Sequence, residues 1–153
     1  MNMSKKCKVL NVLITNIPIA FAISLAAQLI ATRTVVPKLL LINFTLAYVI
    51  SFFVGMFLPA VPWGLKFASA CKAKQDTLPF GLLVNVIVNL VYVVVNCIFL
   101  TYFNVVILSH APVIAYFFAM ISTFIPIYLV GYVVSFLWNR PAEMLARKIT
   151  GEV

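Results

Sequence analysis

Three asparagines in one long apolar segment are the residues best placed to do chemistry. Asn85, Asn89 and Asn96 follow one another at spacings of four and seven residues, and Tyr92 falls between them. In an α-helix these spacings place all four side chains on one face. A carboxamide both donates and accepts hydrogen bonds, so this face could bind an uncharged or weakly anionic polar solute in place of water.

The same four residues also have a purely structural interpretation. Asparagines in membrane helices hydrogen-bond to neighbouring helices, with about 0.6–2 kcal/mol gained per bond. A carboxamide that faced lipid would leave its donors and acceptors unpaired at a cost of several kcal/mol. Under either interpretation the face must therefore lie against protein or water.

Few other residues offer reactive chemistry. His110 is the single histidine, and the three cysteines contain no C-x-x-C pair. The sequence therefore predicts no metal site, no cofactor and no catalytic residues. A proton-coupled pump would need an ionisable group inside the long apolar segments. All of the carboxylates lie outside these segments: Asp76, Glu143 and Glu152.

The composition determines which elements must position these side chains. The 153 residues are 65% hydrophobic and 9% charged, with a mean hydropathy of +1.15, whereas soluble domains are about 25% charged. This excludes a soluble enzyme or a nucleic-acid-binding domain and indicates an integral membrane protein. About 20 apolar residues are needed to cross a bilayer as a helix. Four segments are long enough: 9–31, 36–58, 80–108 and 112–138.

The basic residues predict the topology of these four helices. Of 11 Lys and Arg residues, 9 fall on one side of the predicted spans, and this side is assigned to the cytoplasm. Both termini are therefore expected to be cytoplasmic, in an all-α, up-down-up-down bundle. The single membrane domain then comprises hairpin one (9–61), a cytoplasmic linker (62–79), hairpin two (80–138) and a cytoplasmic tail (139–153). The nine residues are Lys5, Lys6, Lys8, Lys66, Lys72, Lys74, Arg140, Arg147 and Lys148.

The linker between the hairpins has two interpretations. It contains Trp63 and Phe67 among several lysines. This composition is typical of a short amphipathic helix at the inner membrane interface, and equally of a tethered polar loop.

The two hairpins share sequence features that favour a duplication. Val-Gly pairs occur at positions 54–55 and 130–131, and a tryptophan follows each pair, Trp63 and Trp138. Pro37 and Pro112 open the corresponding spans. These offsets of 75 and 76 residues predict two hairpins in the same orientation. Chance agreement among apolar residues is the alternative.

The hairpin pattern also resembles a known group of proteins. The segment Tyr102-Phe103-Asn104 follows an apolar run, and the second helix ends in a proline-containing stretch (57–62) before Lys66. In these features the chain resembles small bacterial inner-membrane proteins of unknown function that are built from one or two helical hairpins. The resemblance implies a bacterial inner membrane but no activity or ligand.

Small residues at helical spacing predict where the helices approach closely. Small-x-x-x-small patterns permit close helix packing in membranes, and polar residues in steps of four lie on one face of the first span. The candidate packing residues are Ser24, Gln28, Ser51, Gly55, Gly131 and Ser135.

We expect a small transporter or channel-like protein for an uncharged or weakly anionic polar solute. Asn85, Asn89, Tyr92 and Asn96 would contact the solute. The alternative is a non-catalytic accessory or assembly subunit of a membrane complex, in which this face binds a partner helix or the chain's own bundle. Under both interpretations the expected partners are the lipid bilayer and either a second copy of the chain or another membrane subunit. Neither interpretation involves nucleic acid.

Overall fold

A computed structural model describes residues 3–75 and 77–152. Asp76, one of the three carboxylates, lies outside the described residues. The described chain is helical and has no strand. Its elements are α1 (Lys5–Thr32), α2 (Pro37–Phe57), α3 (Ala60–Ala70), α4 (Leu78–Thr101), a π-helical turn (Tyr102–Leu108) and α5 (Val113–Thr150).

Four of these helical segments are long and apolar enough to cross a membrane. They are α1, α2, α4 with its π-helical extension, and α5, and each overlaps one of the four predicted spans. A helix satisfies all of its own backbone hydrogen bonds, so such apolar segments are stable in lipid. The prediction of an all-helical bundle with four candidate spans is confirmed.

Helix α5 continues well beyond the predicted end of its span at residue 138. Pro141 lies inside the helix, which ends only at Gly151 in the left-handed conformation, with φ of 72°. Proline removes one backbone hydrogen bond but does not stop a helix that is held by packing. Ala142 and Ala146 are fully buried after this proline, and this burial accounts for the continuation.

Helix α3 lies at the start of the linker between the two hairpins, for which the sequence allowed either a short helix or a loop. A break at Leu58 and Pro59 separates it from α2. Its small residues Ala60, Gly64 and Ala68 are buried, and α3 packs against α4. A Cβ atom at Gly64 would lie only 2.7 Å from the main-chain oxygen of Val84, so glycine permits this close approach.

The four long helices form a closed ring of contacts. Helix α1 packs against α2 and α5, and α4 packs against the same two helices. Helices α1 and α4 therefore occupy opposite corners of the bundle. Their side chains meet in the core, in a cluster formed by Ile19, Ile23, Val93, Cys97 and Ile127.

Pro18 leaves one carbonyl of α1 without its helical donor, and a residue of α5 donates to this carbonyl instead. A proline inside a helix leaves the carbonyl four residues earlier without its backbone donor. In α1 this carbonyl belongs to Ile14, and the indole Nε1 of Trp138 donates to it at 3.3 Å. The tryptophan of the second hairpin thus supplies the donor that Pro18 removes from the first helix.

The two ends of the described chain also meet. Ser4 caps α1 by accepting a hydrogen bond from the amide of Cys7 at 3.2 Å. The Ser4 amide donates to the Glu152 carboxylate at 3.2 Å, and the Ser4 hydroxyl is hydrogen-bonded to the same group. The hydrogen bonds from Ser4 hold the pKa of Glu152 below its ordinary value.

Candidate functional site

The asparagine face of α4 is turned into the bundle. Asn85, Asn89 and Asn96 are each at least 96% buried, and Tyr92 lies between them on the same face. The face is wedged between α5 and α2. Its first half contacts α5, and its second half contacts α2.

The first half bonds to α5 through main-chain carbonyls. Asn85 Nδ2 donates to the oxygen of Tyr132 at 3.1 Å, and Asn89 Nδ2 donates to the oxygen of Tyr128 at 2.9 Å. In return, the Tyr132 hydroxyl donates to the Leu82 oxygen at 3.2 Å, and the Tyr128 hydroxyl donates to the Val86 oxygen at 3.1 Å. Each of these α4 carbonyls lies three residues before the asparagine concerned.

Sequence reasoning did not single out Tyr128 and Tyr132. Their spacing of four residues equals the spacing of Asn85 and Asn89. This match is the signal that could have identified them, because antiparallel helices with the same repeat bring such residues together in register.

Asn85 has hydrogen-bond partners for both its amide nitrogen and its carbonyl oxygen. Its Oδ1 accepts from Ser135 Oγ at 3.0 Å and from Asn139 Nδ2 at 3.2 Å. Because its amide nitrogen is bonded to Tyr132, both ends of this carboxamide are occupied by α5.

The second half of the face contacts α2. Asn96 Nδ2 donates to Ser51 Oγ at 2.9 Å and to the oxygen of Tyr92, one turn earlier, at 2.8 Å. The hydroxyl of Tyr92 lies beside Gly55: a Cβ atom there would be 2.5 Å from it.

Four of the candidate packing residues meet the four candidate solute-contact residues one to one. On α2, Ser51 meets Asn96 and Gly55 meets Tyr92. On α5, Ser135 bonds to Asn85, and Gly131 lies against Asn89, whose Oδ1 would be 2.8 Å from an added Cβ. The two sets that the sequence suggested for different roles thus form one contact layer.

A further asparagine pair lies beyond the end of this face. Asn43 Nδ2 donates to Asn104 Oδ1 at 3.2 Å, and Asn104 Nδ2 donates to Asn43 Oδ1 at 2.9 Å. Asn104 lies in the π-helical turn, whose wider winding changes the direction of its side chains. Continued α-helical winding would place position 104 off the asparagine face, and the structure pairs it with α2.

Five buried side-chain atoms have no hydrogen-bond partner within the described chain. A buried polar atom without a partner costs about 1–3 kcal/mol, so these atoms are the best candidates for ligand contacts. Gln28, a candidate packing residue, still donates through Nε2 to the Val36 oxygen at 3.2 Å. The five atoms are Asn16 Nδ2, Ser24 Oγ, Gln28 Oε1, Asn89 Oδ1 and Asn96 Oδ1.

Two grooves on the bundle surface are lined by apolar residues. Each has a volume of about 320 Å³. One lies between α2 and α4 and includes Phe53 and Phe57, and the other lies between α4 and α5 and includes Met120 and Phe124. Within residues 3–75 and 77–152, no three His, Cys, Asp or Glu side chains gather that could hold a metal ion.

Comparisons of the chain with protein-family models, with curated proteins and with solved structures gave no match.

Proposed function

We propose that the chain is a multi-pass membrane protein that passes a small uncharged polar solute through its bundle. One observation carries this proposal: the carbonyl oxygens of Asn89 and Asn96 are buried without a partner on the same face of α4. Such atoms would recover their hydrogen bonds by binding a solute that carries N–H or O–H groups.

The free atoms favour an uncharged solute over an anionic one. Carbonyl oxygens accept hydrogen bonds and carry partial negative charge, so they would repel an anion. Gln28 adds a third buried carbonyl oxygen without a partner. A neutral solute that carries donor groups fits this set, because three of the five unpartnered atoms are carbonyl oxygens and only one, Asn16 Nδ2, is an amide donor. The amide donors of Asn85 and Asn96 are already bonded to other atoms.

The proposed orientation is up-down-up-down with both termini in the cytoplasm. The order of contacts between α2 and α4 supports the alternation: Ser51 bonds to Asn96, whereas the earlier Asn43 bonds to the later Asn104, so the two helices run in opposite directions. The nine basic residues on one side of the spans support the assignment of that side to the cytoplasm. The resemblance noted in the sequence supports a bacterial inner membrane.

The duplication of a two-helix hairpin is part of the same proposal. Gly55 and Gly131 occupy equivalent places in the repeat, and each lies against a polar side chain of α4. In addition, α3 follows hairpin one and packs on α4, while the end of α5 follows hairpin two and packs on α1. These reciprocal contacts are those expected of two related halves.

An accessory or assembly subunit is the second candidate. It is favoured by the amide donors of Asn85, Asn89 and Asn96, all of which bond within the chain. In this role the asparagines hold the bundle together, and the exposed apolar faces of α2 and α5 would bind a second copy or another membrane subunit.

Cysteine accessibility distinguishes the two functions. In a variant without Cys7, Cys71 and Cys97, single cysteines replace Asn89 or the adjacent Val88, and a membrane-impermeant thiol reagent is applied from each side. Solute passage predicts labelling at 89 and none at 88. If neither position reacts in the folded protein, the asparagines serve packing only.

Flux through the purified protein is the second measurement. Proteoliposomes are loaded with a neutral solute such as glycerol or urea, and the rate of volume recovery after an osmotic shift is compared with that of empty vesicles. A transporter accelerates the recovery, and an accessory subunit leaves it unchanged.

A further inference from the structure

Four of the unpartnered atoms lie on the two helices at opposite corners of the bundle. On α1 they are Asn16 Nδ2 and Ser24 Oγ, and on α4 they are Asn89 Oδ1 and Asn96 Oδ1. All four side chains are at least 98% buried, so a partner for each atom must lie inside the bundle.

The apolar core cluster brings these two helices together at the same level. Ile19 and Ile23 of α1 pack with Val93 and Cys97 of α4 in one buried cluster. On α1, Asn16 and Ser24 lie on either side of the two isoleucines in sequence. On α4, Asn89 precedes Val93 by one turn, and Asn96 adjoins Cys97. All four polar residues therefore lie within about one helical turn, along their own helix, of the apolar cluster that α1 and α4 share.

The chemistry of the two sides is complementary. Helix α1 offers an amide donor at Asn16 and a hydroxyl at Ser24, and helix α4 offers two carbonyl acceptors. An occupant must accept from α1 and donate to α4 at once. A monatomic cation has no acceptor and a monatomic anion has no donor, so neither can satisfy both sides.

One of these acceptors is packed against a glycine. Gly131 lies against Asn89 Oδ1, where a Cβ atom would approach to 2.8 Å. The other amide atom of Asn89 is fixed to the Tyr128 oxygen at 2.9 Å, so the free oxygen keeps its direction. Asn89 Oδ1 is therefore buried and fixed in position, and it has no donor within the described chain.

We propose that the α1–α4 contact is a hydration site, in which buried water molecules bridge Asn16 and Ser24 to Asn89 and Asn96. Water both donates and accepts, and buried water typically makes about three hydrogen bonds to polar groups that would otherwise be unsatisfied. The site goes beyond the proposed solute passage, because structural water is expected there even if no solute crosses the bundle.

Nuclear magnetic resonance of the full chain in lipid nanodiscs tests this site. Cross-relaxation between water protons and the side-chain amide protons is measured for each asparagine in the ¹⁵N-labelled protein. We expect water cross-peaks at Asn16, Asn89 and Asn96. Asn85 is the internal control, because both ends of its carboxamide are bonded to α5, and it should show no water cross-peak.

A substitution on α4 adds a test of the bridge. Asn89→Leu keeps the branched shape of the side chain but removes the free acceptor, together with the donor to Tyr128. We expect the water cross-peak at Asn16 to be lost or strongly reduced. Absence of a water cross-peak at the Asn16 side-chain amide of the unmodified protein overturns the proposal. That measurement needs no variant, so it remains decisive if Asn89→Leu does not fold. Osmotic flux in the same preparation reports separately on solute passage.

Discussion

The side-chain oxygen of Asn89 lies directly against the backbone of Gly131, and no larger residue fits between them. A Cβ atom at position 131 would be 2.8 Å from Asn89 Oδ1 and 3.3 Å from Val93 Cγ2. The Asn89 amide cannot swing away freely, because its nitrogen donates to Tyr128. A glycine on α5 therefore determines how closely the asparagine face of α4 can approach.

This contact predicts the effect of Gly131→Ala. The added methyl group would overpack the α4–α5 interface, and we expect a loss of about 1–3 kcal/mol in the free energy of unfolding. Unfolding in mixed detergent micelles measures it. Adding Asn89→Ala should recover part of the loss. The control is Gly81→Ala on α4, where nothing lies within 4 Å of the added Cβ. Equal destabilisation by the two alanine substitutions would contradict the contact.

Gly55 predicts a parallel effect at the other interface. An alanine there would place its Cβ 2.5 Å from the Tyr92 hydroxyl and 2.8 Å from Val12 Cγ1. We expect Gly55→Ala to destabilise the bundle by about 1–3 kcal/mol. Because only one of these two clashes involves the hydroxyl, Tyr92→Phe should relieve part of the loss. Full persistence of the loss in the double variant would show that Val12 alone causes it.

The reciprocal amide pair predicts a measurable coupling. Asn43 and Asn104 exchange two hydrogen bonds, and such pairs in membrane bundles contribute about 0.6–1.7 kcal/mol. A double-mutant cycle with Asn43→Ala and Asn104→Ala should give a coupling free energy in this range. Additive effects of the two substitutions would show that the pair does not form in the bilayer.

The docking of α3 depends on Gly64. An alanine Cβ would lie 2.7 Å from the Val84 carbonyl oxygen, which belongs to the backbone and cannot rotate away. We expect Gly64→Ala to separate α3 from α4 while the four long helices remain packed. Limited trypsin digestion should then cleave at Lys66 much faster than in the unmodified protein, whereas Gly81→Ala should leave the cleavage rate unchanged.

The contact between the two ends of the chain depends on pH. Ser4 lowers the pKa of Glu152, so the ionised carboxylate is favoured in the folded state. The contact is therefore present above the ordinary pKa of a glutamate and is lost as the pH falls through the lowered value. The amide resonance of Ser4 should shift over this acidic range. In Glu152→Gln the shift should be absent.

Helix formation and its approximate limits followed from the sequence alone. Apolar segments of 20 or more residues must be helical in lipid, because each backbone polar group needs a partner within its own segment. The spacing of Asn85, Asn89 and Asn96 likewise placed them on one face before any contact was known. The continuation of α5 through Pro141 could not be predicted in this way, since it depends on the burial of Ala142 and Ala146.

Which neighbours the asparagine face meets was decided only by the tertiary structure. Local periodicity defines a face, but the partners depend on how four helices arrange themselves around one core. The pairing of Asn89 with Tyr128 and Gly131, and of Asn96 with Ser51, joins residues about 40 or more positions apart. The sequence determined that these polar groups must avoid lipid, and the packing of α4 between α2 and α5 determined which groups are bonded and which remain free.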